Sequence, residues 1–183
     1  MNIRANSPHA KDIAYHLHPY TNAEVHEQNG PHIIQGGDGI YVIDDSGKRY
    51  IEGLSGLWCA SLGFSEPRLV EAATRQMTEM PYYHNFAHKT TPVVVELAER
   101  LVEMMPVPMS KVFFTNSGSE ANDTQVKMIW YYNNARGRPE KKKIISRLQG
   151  YHGVPVAAAS LTGLPYVQNS FDLPLPGILH TAC

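Results

Sequence analysis

The period of hydrophobic and polar positions changes several times along the chain, and each change marks an element. Residues 8–18 fit a short helix, with Ser7 as cap, Pro8 in the first turn and Pro19 as the stop. A polar stretch rich in Gly and His runs on to about Gly39. Residues 40–52 read as a hairpin, two β-rich runs around a short turn of Asp, Ser and Gly. Amphipathic patterns predict helices over about 66–80, with Pro67 near the start, and over 92–105, ending before Pro106.

From residue 111 the pattern alternates. Residues 111–116 form a short apolar run suited to a buried parallel strand, and a helix is expected over about 119–135. Arg136-Gly137-Arg138-Pro139 breaks that helix, and residues 141–147 supply the next strand. A short helix near 154–160, a loop rich in Pro and Gly, and a strand near Ile178 complete the reading. Strand–helix–strand–helix order is the signature of an α/β layer. The boundary between a small amino-terminal element, 1–54, and this larger layer, 55–183, is placed near Ser55.

Composition narrows the function classes. With 43% hydrophobic and 18% charged residues the chain is globular in type, and a net charge of −1 gives no field favouring nucleic acid, membrane or a polyanion. The uncharged stretch from Leu148 to Phe171 is too rich in Gly, Pro and polar residues to span a membrane. No secretory leader is read at the start, so a cytoplasmic location is expected. Cys59 and Cys183 make no disulfide framework. The nine histidines show no metal-ligand spacing, so no metal is expected. Lys141-Lys142-Lys143 should send its ammonium groups to water, and Asn122-Asp123-Thr124 fits a glycosylation pattern only inside an expected helix.

Three segments could carry chemistry. Asn116-Ser117-Gly118-Ser119-Glu120-Ala121-Asn122 lies where a strand is expected to turn into a helix. Free N–H groups and the helix dipole favour an anion there, and Ser117 and Glu120 also have capping-box spacing. A bound phosphate and a capped but empty helix start both fit. Gly150-Tyr151-His152-Gly153 follows the next strand, where ligands collect in open parallel sheets. Tyr151 could stack on a flat heteroaromatic ligand or lie on the surface. Gly53–Gly63 is a small-residue loop in which Trp58 either walls a pocket or fills a core.

In order along the chain, these motifs resemble class III aminotransferases of PLP fold type I, in their ω-amino acid:pyruvate branch. Leu17-His18-Pro19-Tyr20-Thr21, the hairpin running into Gly56-Leu57-Trp58-Cys59, Pro81-Tyr82-Tyr83-His84-Asn85-Phe86 and Ser170-Phe171-Asp172-Leu173-Pro174 extend the likeness over the whole chain. The resemblance implies pyridoxal 5'-phosphate as cofactor and an amine or ω-amino acid donor with a keto acid acceptor such as pyruvate. It implies a homodimer or higher homo-oligomer. Gly118, Ser119 and adjacent Ser117 would hold the cofactor phosphate; Tyr151 would stack on its ring, with His152 beside it. Trp58, Tyr20 and Tyr151 would line the substrate pocket, and Phe86 and Ala87 would reach the partner subunit's active site. The family's Schiff-base lysine, its aspartate at the pyridine nitrogen and its arginine for the substrate carboxylate match nothing here and are expected beyond residue 183. A non-catalytic phosphate-binding or interaction module, and another PLP reaction on the same scaffold, are the alternatives.

Overall fold

The computed structural model describes residues 4–182. It divides into two compact units, one ending at Thr90 and the other beginning at Thr91.

The first unit opens with α1, Pro8–Tyr15, whose cap Ser7 accepts from Ala10 N. The expected extension to residue 18 does not occur. His16 is already extended, and Pro19 excludes the helical region for the residue before it. The polar stretch holds two elements that hydrophobic patterning missed. One is α2, Ala23–Asn29, capped by Asn22 and stopped by Gly30 at φ 71°. The other is β1, Ile34–Asp38. The hairpin forms as β2, Tyr41–Asp44, and β3, Arg49–Ile51, and β1 pairs with β2 to complete an antiparallel meander.

The chain then makes α3, Ser55–Trp58, a single turn wound in the opposite hand. Ser55, Gly56, Leu57 and Trp58 have φ of 51°, 57°, 59° and 68°. Trp58 N donates to Leu54 O and Cys59 N to Ser55 O, both at 2.9 Å. The Glu52 carboxylate closes the start of the turn by accepting from Leu54 N at 2.7 Å and Gly56 N at 3.2 Å. Phe64 then packs over Gly37 of β1, where a Cβ would overlap its ring, and pairs with Gly39. The amphipathic helix α4, Pro67–Glu79, closes the unit's regular structure.

In the second unit α5, Pro92–Met104, forms as expected. Residues 111–116 do not form a strand, because no segment among the described residues pairs with them; Phe113 is 72% exposed. They lead into α6, Gly118–Ala135. β4, Ile144–Arg147, starts three residues later than expected. Its lysine prelude turns instead, and Lys142 Nζ donates to Trp130 O at 3.0 Å and to Asn134 Oδ1 at 2.5 Å on α6 rather than standing free in water. After α7, Val156–Leu161, comes α8, Pro165–Gln168, too short to announce itself by periodicity. β5, Ile178–Thr181, runs parallel to β4.

The core of this unit is Val126, Leu161 and Ile178, with Ile144 and Leu175 against them. A buried polar layer lies beside it. Ser146 Oγ donates to Leu161 O, Gln168 Nε2 donates to Ala159 O at 3.0 Å, and Leu175 N donates to Ser160 Oγ at 3.0 Å. These bonds offset the desolvation of the Ser146, Ser160 and Gln168 side chains, whereas Asp123 Oδ1 on α6 is buried without a partner.

Much apolar surface stays uncovered. The accessible surface is 14690 Å². Two separate compact units of half this mass each would together expose only about 10,600 Å². The excess includes Leu69, Val70 and Met77 on α4, and Val93, Val95 and Leu97 on α5. No helix among the described residues is long and apolar enough to cross a membrane.

Candidate functional site

The site residues of the second unit gather at the start of α6. Ser117 is extended at φ −155° and ψ 160°, and its Oγ accepts from Glu120 N at 3.1 Å. Glu120 reaches back to Asn116 N at 2.9 Å, one residue earlier than a strict capping box would have it. Ser117 Oγ is thereby occupied as an acceptor and keeps its own O–H to donate.

Ahead of this cap lie unused donors. The N–H groups of Gly118 and Ser119, and the Ser119 hydroxyl, have no partner among the described residues. A Cβ at Gly118 would meet nothing within 4 Å, so the space in front of these donors is open. An anion there would meet two backbone N–H groups, up to two hydroxyls and the positive end of an 18-residue helix.

The second motif lies against the first. β4 ends at Arg147, and the chain turns through Gln149, at φ 62°, into Gly150-Tyr151-His152-Gly153. Gly153 has φ 128°, and a Cβ on it would overlap the Ser119 side chain. Asn122 Nδ2, one turn into α6, donates to His152 O at 2.7 Å. His152 N donates to Thr162 Oγ1 at 2.8 Å, and Thr162 Oγ1 donates to Gly153 O at 3.0 Å. The loop is thus clamped from both sides. The cap and the loop meet through these contacts, not through a shared edge of paired strands, since residues 111–116 are unpaired. Asn122, Ser146, Arg147, Gly150 and His152 line an open cleft of about 360 Å³. Tyr151 is half exposed, its ring free to receive a flat ligand.

The remaining residues named from the sequence lie in the first unit. Trp58 rides on the left-handed turn and is 73% exposed, so it is no core tryptophan within the unit. Tyr20 follows α1 with φ 58° and is exposed. Phe86 and Ala87 sit in an irregular exposed segment, where Phe86 N donates to His84 Nδ1 at 3.2 Å and Ala87 has φ 52°. Asn122 lay in the motif read from the sequence but without this role, and Thr162 and Glu52, which hold the loop and the turn, were not singled out as site residues. An Asn on a helix or a Glu after a strand carries no signal until its partner is known.

The profile of the family described as Aminotransferase class-III matches residues 22–182. The chain is 52% identical over 168 residues to gamma aminobutyrate transaminase 1, mitochondrial, of Solanum lycopersicum, covering 91% of this chain and 33% of that protein. It is 56% identical over 154 residues to vanillin aminotransferase of Capsicum chinense, covering 84% and 34%. Its structure is similar to that of the omega transaminase from Pseudomonas jessenii in complex with PMP, with a TM-score of 0.95 and 64% identity, covering 97% of this chain and 39% of that one. The chain therefore spans about a third of the length of the curated relatives it matches.

Proposed function

The chain belongs to the class-III aminotransferase family, and from that premise we propose that the whole protein is a pyridoxal-phosphate-dependent transaminase. It moves an amino group from an amine or ω-amino acid to a keto acid such as pyruvate. The observation that carries this reading is the open, unpartnered set of donors on Gly118 and Ser119 beside the clamped 150–153 loop. The donors suit a phosphate dianion, and the neighbouring ring of Tyr151 suits a pyridine. The complex of the Pseudomonas jessenii enzyme with PMP supports the same cofactor.

In this proposal the Gly118 and Ser119 N–H groups and the Ser119 hydroxyl grip the phosphate, and Ser117 adds its O–H. Tyr151 covers one face of the ring and excludes water from it, while His152 is held at its backbone by Asn122 and Thr162. When bound, pyridoxal phosphate supplies a carbonyl for the donor's nitrogen and a ring that withdraws electrons from the adjoining carbon. The lysine, aspartate and arginine of the reaction belong to the remaining two thirds of the relatives' length. Residues 1–54 are assigned to the small domain and 55–183 to the large one.

Trp58 and Tyr20 are proposed as walls of the substrate pocket. A similar structure, a thermostable omega transaminase variant carrying W58G, is described as engineered for synthesis of bulky amines, which supports Trp58 as a limit on substrate size. Phe86 and Ala87 are assigned to the partner subunit's site in a homodimer. Support comes from the exposed apolar side chains around them, Tyr82 and Phe86 each at 79%.

The test is product analysis of the whole protein with an amine donor and pyruvate. Alanine and the matching carbonyl compound are expected in equal amounts; no alanine with any amine or ω-amino acid donor overturns the assignment. Independently, Ser119→Ala should raise the dissociation constant of PMP, which binds without a covalent bond, about tenfold, the worth of one charge-assisted hydrogen bond.

A further inference from the structure

Four titratable side chains converge in the first unit, beside the bend that carries Tyr20. His16 Nδ1 lies 2.9 Å from Asp12 Oδ1, and His18 Nε2 lies 2.8 Å from Asp12 Oδ2. His26 Nε2 approaches the same Oδ2 at 2.9 Å. The rings of His16 and His18 are 4.1 Å apart between centroids, and those of His18 and His26 are 4.3 Å apart. Holding the turn between α1 and α2 would need one such bond, not three.

The sequence hides this cluster because its spacing is irregular. Asp12 is on α1, His16 is its last cap, His18 follows the bend before Pro19, and His26 comes from α2. Local structure gathers them. Residues at i and i+4 share a helix face, which puts His16 over Asp12. The extended backbone at His16 then swings His18 back toward the same carboxylate.

We propose that Asp12, His16 and His18 form a site for one divalent ion of the zinc type, with His26 orienting the carboxylate from outside. One ligand atom from each of the three lies within 4.8 Å of the other two. Zinc bonds nitrogen and oxygen at about 2.0–2.2 Å, so tetrahedral ligands sit about 3.3 Å apart. His16 Nδ1 and His18 Nε2 sit 2.9 and 2.8 Å from different oxygens of Asp12, and one ligand atom of each residue lies within 4.8 Å of the other two, so an ion would draw the three to that spacing by side-chain rotation. Imidazoles with one carboxylate suit zinc, nickel or copper and not magnesium, which demands an octahedron of oxygens. A cavity of about 70 Å³ beside the cluster is lined by His16, His18 and His26, so two of the three proposed ligands border open space. Asp12 is half-buried and His16 exposed, so an ion has a way in. With Asp12 Oδ1 on the ion, His26 Nε2, already 2.9 Å from Oδ2, would hold the outer oxygen that His18 leaves as it turns to the ion, the arrangement by which second partners fix a ligand.

This inference does not depend on the transaminase reading, and its test does not read activity. The whole protein, untagged and freed of metal by chelator, is titrated with zinc chloride and, in parallel, with magnesium chloride. Saturation at one zinc per chain is expected, with no uptake of magnesium. His26→Gln should weaken zinc binding about 10–100-fold, and the pair His16→Gln with His18→Gln should abolish it while circular dichroism stays unchanged. Unaltered affinity in the double variant, or no zinc uptake by the native protein, overturns the proposal. Should the double variant fail to fold, anomalous diffraction at the zinc edge from soaked crystals of the native protein decides. A peak between Asp12, His16 and His18 supports the site; a peak only elsewhere, or none, sinks it.

Discussion

Ser119 occupies the volume that a side chain on Gly153 would need, so the start of α6 and the loop carrying Tyr151 are fitted to each other. Gly153 also sits at φ 128°, where a Cβ is strained whatever the space around it. Steric overlap and backbone strain therefore act at the same residue. Gly153→Ala should destabilise the protein by about 1–3 kcal/mol and push Ser119 from its position. A thermal melt and a PMP titration on the same sample check both parts. An unchanged melt with unchanged affinity would show that the two segments are not so tightly matched.

Asn122 should act through the same loop. Its 2.7 Å bond to His152 O is part-buried and bridges α6 to the second motif. Asn122→Ala removes the donor and leaves that carbonyl short of a partner, at a cost of about 1 kcal/mol. Binding of PMP should weaken about fivefold without loss of the fold. Isothermal titration reads the affinity, and the helical dichroism band reports whether α6 survives.

Glu52 is expected to set substrate size from a distance. Its carboxylate caps the left-handed turn on Leu54 N and Gly56 N, and the turn carries Trp58. Glu52→Gln keeps the shape but replaces a charged acceptor by a neutral one, at about 0.5–1.5 kcal/mol. The expected outcome is a loosened turn, with activity on small amines reduced and the preference against bulky amines relaxed. Rates on a size series of amines, wild type against variant, separate this from a general loss of stability, which would lower all of them alike.

Asp44 makes the first unit sensitive to acid. Its carboxylate accepts from the Ser46 hydroxyl and the Tyr50 hydroxyl at 2.7 Å, and from the backbone N–H groups of Ser46 and Lys48 at 2.9 Å, with His32 3.4 Å away. These donors, the Ser46 bond first, hold its pKa well below the ordinary 3.8, and the same contact raises that of Tyr50. A carboxyl lowered on folding adds stability that is complete above its unfolded value and fades as pH falls below 3.8 toward the folded one. Urea midpoints between pH 5 and pH 2 should fall more steeply for the native protein than for Asp44→Asn. Parallel slopes would rule out Asp44 as the source.

Helices with a clear apolar stripe were legible from the sequence, as α4 and α5 show, because their period is a local property, and α6 was legible from the cap at Ser117 and the break at Arg136-Gly137-Arg138-Pro139. The 111–116 run was not legible as it stands: its apolar residues ask for neighbours, and none among the described residues provides them. β1 and α2 were hidden for the opposite reason. Gly36-Gly37 and the polar face of residues 23–29 carry little hydrophobic signal, and caps and pairing make them regular. At the candidate site, Gly118, Ser119 and Gly153 stood out because glycine and serine at a helix start and after a strand suit close approach to an anion, although a plain helix cap uses the same residues. The clamps by Asn122 and Thr162, and the histidines around Asp12, depend on partners 10–30 residues away or on a bend that no spacing rule encodes.

The reversed hand of residues 55–58 also limits which sequences can occupy that stretch. Side chains branched at Cβ fit poorly at Leu57 and Trp58, with φ of 59° and 68°, while Gly and Asn fit well. Randomised libraries at these two codons should therefore return few valines or isoleucines among folded clones, whatever amine is used for selection. Glycine at 58 would remove the indole and relax the main chain in one step, so its recovery from a screen would not by itself separate the two effects.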